Sequence, residues 1–129
     1  MIFLEIEGLP VSWKSHGRKS FNPRFKEKEY YQWQIRSQFN QMHPCTGPIT
    51  LRVVYHMPIP AATSKIRRRQ MLSGYIRHIK SPCLIDLDSF LQDSLLGIVL
   101  SEKCQVDRLI SDKLYSEYSK TLVSIESNK

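Results

Sequence analysis

Gly47-Pro48-Ile49-Thr50-Leu51-Arg52-Val53-Val54-Tyr55-His56-Met57-Pro58 is the stretch that decides the fold. Ile49, Leu51, Val53, Tyr55 and Met57 fall on one side of an extended chain, and Thr50, Arg52 and His56 on the other. That period of two is the mark of a half-buried strand. Gly47 and Pro48 open it, and Pro58 and Pro60 close it. One apolar face needs a second layer to cover it, and the flanking sequence supplies helices. Upstream, Phe25 to Met42 repeats at helical spacing, with Tyr31, Ile35, Phe39 and Met42 in one stripe and Pro44 beyond it. Downstream, Ser64 is placed to cap a basic helix, Lys65-Ile66-Arg67-Arg68-Arg69-Gln70-Met71-Leu72, which Gly74 ends. After Pro82 a short apolar helix carries Leu87, Phe90, Leu91 and Leu95 in register, with Gly97 as its stop.

The two ends of the chain read as further strands. Ile2, Leu4 and Ile6 alternate with Phe3, Glu5 and Glu7 before Gly8 and Pro10. Val106 to Tyr115 and Thr121 to Ile125 are extended and joined by the polar run Glu117 to Lys120, so a hairpin is expected there. The order predicts one α+β domain over residues 1–129, a mixed sheet of about four strands packed by two to three helices. A chain of 129 residues has room for a single core.

Composition narrows the class of function. With 41% hydrophobic and 24% charged residues the chain is neither disordered nor collagen-like. Its longest apolar run, Leu95 to Leu100, is far short of the ~20 residues that span a bilayer. Met1-Ile2-Phe3-Leu4-Glu5 lacks the basic flank of a signal peptide. Cys45, Cys83 and Cys104 are odd in number and widely spaced, which suits a reducing compartment; a cytoplasmic location is expected. Lys and Arg number 19 against 12 acids, a net of +7 that suits a polyanionic partner.

No histidine or cysteine set has zinc-site spacing, and neither a phosphate loop nor a nucleophile elbow is present. The informative group is acidic: Asp86, Asp88, Asp93 and Glu102, around the apolar helix. Carboxylates beside a helix start could hold Mg²⁺ against a phosphodiester, or simply cap the helix and meet its dipole. Positions i and i+2 point about 200° apart on a helix, so Asp86 and Asp88 can share a metal only if Asp86 lies outside the first turn. Basic residues gather in two places, Lys14, Arg18, Lys19 and Arg24 in the first loop and Lys65, Arg67, Arg68 and Arg69 on the helix. Trp13 in that loop is placed either to stack on an unpaired base or to anchor the loop.

Taken together in order, several short runs resemble the RusA family of Holliday-junction resolvases, crossover junction endodeoxyribonucleases of phages and bacteria. They are Ile6-Glu7-Gly8-Leu9-Pro10-Val11-Ser12, the helix with Tyr31 and Trp33, Gly47-Pro48-Ile49, Pro58-Ile59-Pro60, Ser64-Lys65 and Lys80-Ser81-Pro82. Asp93-Ser94-Leu95-Leu96-Gly97-Ile98-Val99, Gln105-Val106 and Lys113-Leu114-Tyr115 complete the series. The resemblance implies a Mg²⁺- or Mn²⁺-dependent homodimer that cuts branched DNA and takes part in recombination and repair. A relative that binds such DNA or a protein partner without cutting is the other reading.

The family's acidic motif, Lys-Pro-Asp-x-Asp-Asn with a later Lys and Asp-Asp, fits here in two registers. Without a gap its first two acids fall on Cys83 and Ile85, its Asn on Asp86, its Lys on Ser89, and its final pair on Glu102 and Lys103. Shifted by three residues it recovers Asp86 and Asp88 but shortens the helix by a turn before Asp93. For a cutting enzyme the resemblance implies Asp86, Asp88 and Glu102 as metal ligands, with Lys80 or Lys103 stabilising charge on the phosphate.

Overall fold

The computed structural model describes residues 1–13 and 25–128. Its elements are β1 (Ile2–Glu7), α1 (Phe25–Gln38), β2 (Ile49–Pro58), α2 (Lys65–Leu72), α3 (Leu84–Leu95), β3 (Val106–Ser116) and β4 (Lys120–Ser127). A 3₁₀ turn, Lys103–Gln105, leads into β3. The alternation that predicted β2 is realised in full: Ile49, Leu51, Val53, Tyr55 and Met57 are all buried. They face α1 and α3, whose Tyr31, Ile35, Leu87, Phe90, Leu91 and Leu95 complete the core with Leu4, Ile6, Val123 and Ile125. The fold is α+β around one mixed four-stranded sheet.

Two expectations change at the level of pairing and boundary. β3 and β4 do not form a hairpin: the strand order is β1-β4-β2-β3, with β2 between them. β3 runs parallel to β2, with Tyr55 opposite Lys113, and β4 runs antiparallel to it, with Tyr55 opposite Thr121. The three residues 117–119 therefore carry the chain across the C-terminal end of β2. Inserting β2 buries its apolar face at the middle of the sheet and leaves the charged β3, with Asp107, Arg108 and Asp112 exposed, at the edge. α1 ends at Gln38, and Met42 is 93% exposed rather than part of the stripe. Asn40 and the pre-proline His43 both disfavour continued helix.

The opposite edge of the sheet is closed by side chains. Gln38 accepts from the Glu5 amide at 2.8 Å and donates to the Glu5 carbonyl at 2.7 Å. Gln34 does the same for Glu7, at 2.8 and 3.3 Å. Two residues of strand rise about 6.8 Å and four of helix about 6 Å, so an i, i+4 glutamine pair matches the free groups of an edge strand.

Candidate nucleic-acid interface and acidic region

α2 is anchored to the sheet through Met71, its one buried residue, which lines a cleft with Val54, Leu114 and Tyr115. Ser64 caps it by accepting from the Arg67 amide at 3.3 Å. Everything else on this eight-residue helix is available at the surface. Lys65, Arg67 and Arg69 are exposed, and Arg68 lies half-buried within 3.8 Å of Glu117. The helix has four bases and no acid. The loop that follows adds exposed Tyr75, Arg77 and Lys80. Tyr75 and Arg77 were not legible as surface contributors, because the segment after Gly74 has no periodicity; their signal was the recurrence of bases beyond Arg69.

The other cationic group, Lys14, Arg18, Lys19 and Arg24, lies outside the described residues. Trp13 immediately precedes that group in the sequence. Trp13 donates its indole N–H to Asp93 Oδ2 at 2.6 Å and packs edge-on against Phe90, with ring centroids 4.9 Å apart. The Val11 amide donates to the Tyr31 hydroxyl at 3.0 Å. Of the two roles open to Trp13, the structure assigns that of anchor. Together with the Val11 bond, it fastens the segment 11–13 to α1 and α3.

The acidic residues separate. Asp86 sits in the first turn of α3, the position that turns it about 200° away from Asp88. Asp88 is 8% exposed and points inward. Its Oδ1 accepts from the Tyr55 hydroxyl at 2.6 Å, and the Ser111 hydroxyl lies 2.9 Å from Oδ1 and 2.8 Å from Oδ2. Glu102 is exposed beside the 3₁₀ turn, at the other end of the sheet. There Gln105 Oε1 accepts from the Ser101 and Glu102 amides, and its amide nitrogen donates to the carbonyls of Cys45 and Gly47. Lys103 is ion-paired with Asp93. Lys80 lies beyond the opposite end of α3, where its carbonyl and that of Pro82 accept from Lys113 Nζ at 2.7 and 2.9 Å. Burial lowers the Lys113 pKa. Among the described residues no three His, Cys, Asp or Glu side chains gather as a metal-holding group. Asp86, Asp88 and Glu102, expected to hold one metal, and Lys80 and Lys103, either of which was expected to face the phosphate, are thus distributed from the segment before α3 to the 3₁₀ turn before β3.

Burial raises the Asp88 pKa above the usual carboxylate value, opposed by its bonds from Tyr55 and Ser111. The folded protein therefore takes up this proton more readily than the unfolded chain. Asp88's contribution to stability increases as pH falls through its raised pKa toward the ordinary carboxylate value, and is lost as pH rises back through that window. Asp88→Asn is expected to flatten this mildly acidic part of the stability profile, measured by urea denaturation at successive pH values. Asp88→Ala, which leaves the buried Tyr55 hydroxyl without its acceptor, is expected to cost about 1–3 kcal/mol at every pH.

A family model described as Endodeoxyribonuclease RusA matches residues 14–126. No curated protein sequence matches the chain.

Proposed function

Since the chain belongs to the RusA endodeoxyribonuclease family, whose activity is Holliday-junction resolution, we propose that it recognises four-way and other branched DNA as a homodimer. The observation that carries this reading is α2 itself, a helix without acids on which Lys65 and Arg69 share one exposed side and Arg67 is exposed on another, with Arg68 half-buried between them. Cations concentrated on one short helix can dock on phosphates and release their counterions, which supports affinity without regard to base sequence. Lys14, Arg18, Lys19 and Arg24, which follow Trp13 in the sequence, are the second group of cations in this reading. Resolution by a dimer would need one acidic site per exchanging strand, with Asp86, Asp88 and Glu102 holding Mg²⁺ or Mn²⁺. The geometry supports the binding half of this activity.

The dimer reading is supported by the sheet face that α1 and α3 leave open. Phe3, 71% exposed, lines a trough of about 640 Å³ with Met1, Val54, Leu122 and Arg52. An open apolar surface of this kind is a natural site for a second copy. Phe3→Asp is expected to convert a dimer to a folded monomer in sedimentation velocity, with unchanged circular dichroism. The DNA reading is tested by titrating a labelled four-way junction over a range of salt. A steep linear fall of log affinity with log salt is expected, and salt-independent or absent binding would contradict it.

A further inference from the structure

The family's chemistry calls for carboxylates that converge on one divalent cation, and the donors of this chain do not fit that requirement. Asp88 has both oxygens engaged by Tyr55 and Ser111 inside the core. At 8% exposure, with two hydroxyls using part of its lone-pair capacity, it presents little to a hydrated Mg²⁺. Asp86 faces away from it by more than half a turn of the same helix. Glu102 adjoins Gln105, which is held at the Cys45–Gly47 end of β2, whereas Asp88 is held by Tyr55, six residues further along β2 than Ile49. That interval is about 20 Å of strand. Asp93, the remaining acid of α3, is engaged by Trp13 and Lys103.

The gap-free register of the family motif leads to the same result. It places Cys83, Ile85 and Lys103 where acids belong, and Ile85 is 81% exposed. An exposed isoleucine holds no cation, and Lys103 brings a positive charge of its own. The shifted register recovers two acids, but on a helix that points them apart.

We propose that this chain holds branched DNA without cutting it, Asp88 being committed to the core and Asp93 to an ion pair, while Asp86 and Glu102 lie apart. Where the family presents acids to bind a cation, the surface carries a fixed cation, Lys103, balanced by Asp93. The inference rests on the branched-DNA reading above, and its test separates the two.

A four-way junction labelled on each strand in turn is incubated with the full chain at about 10 mM Mg²⁺ or Mn²⁺, enough to fill a weak oxygen-ligand site. Binding is followed by gel shift and strand integrity on a denaturing gel. In parallel, Mn²⁺ alone is titrated into the protein and free Mn²⁺ is read by electron paramagnetic resonance. The expected result is a shifted junction with all four strands intact, and a free Mn²⁺ signal unchanged by protein. Metal-dependent paired nicks that disappear in Asp86→Asn and Asp88→Asn, or stoichiometric Mn²⁺ uptake, would overturn the inference while leaving the binding reading in place. Failure to shift the junction would count against the binding reading, and the Mn²⁺ titration, which needs no DNA, would still decide the metal question.

Discussion

Phe90→Ala is expected to lower the unfolding free energy by about 4 kcal/mol, read as a shift of the urea midpoint at unchanged slope. Phe90 is fully buried, and its ring meets Trp13 at 4.9 Å and Tyr31 at 5.1 Å between centroids, both edge-on. Truncation removes the transfer energy of the ring, both aromatic contacts and the filling of the space between α1, α3 and the start of the basic loop. Against a typical total of about 5–15 kcal/mol this is a large fraction. Phe90→Leu, which retains most of the volume, is expected to cost less than half as much. The exposed Phe3→Ala should cost within about 0.5 kcal/mol in the monomer. Because Trp13 leans on Phe90, Phe90→Leu is also expected to weaken junction binding more than its stability cost accounts for. Equal stability of Phe90→Ala and wild type would mean that α3 does not pack as described.

Replacing Lys65, Arg67 and Arg69 together by alanine is expected to reduce junction affinity by about 500-fold at 0.1 M salt relative to the difference at 1 M. Each phosphate contact contributes about 0.9 to the slope of log affinity against log salt, so three contacts change it by about 2.7. The three side chains are exposed, Ser64 still caps the helix and Met71 still anchors it, so thermal unfolding should move little. Alanine favours the helix. The combination of a large, salt-dependent loss with an intact fold separates a DNA surface from a solvated helix face, for which the triple variant would bind as wild type does.

What could be read in advance depended on how local its cause is. The period of two in β2 and the Ser64 cap of α2 are set within a few residues, and both are realised. The order of β3 and β4 is not local: a polar turn at 117–119 serves a hairpin or a crossing of β2 equally well, and only the pairing of β2 along both its edges decides between them. Gln34 and Gln38 close the edge of β1, a role for which the α1 stretch alone holds no signal. Asp88 was expected as a metal ligand or a cap, yet it stands next to Leu87 in an apolar stripe that continues at Leu91 and Leu95, and it faces inward. Its partners were not legible, because Tyr55 is 33 residues away and Ser111 is 23. Trp13 and Asp93 are 80 residues apart, and nothing in either neighbourhood pairs them. The cationic helix was legible because charge, unlike contact, is visible residue by residue.

On the function proposed above, this surface recognises the geometry of branched DNA. The most direct measurement is competition for a labelled four-way junction, in chelator and at fixed salt, between the same junction unlabelled and a linear duplex carrying the sequence of two of its arms. The account predicts that the duplex competes about 100-fold less well per molecule, a ratio within reach of backbone contacts made in one fixed arrangement. Equal competition by the linear duplex would contradict it, leaving a basic domain that binds DNA by charge alone.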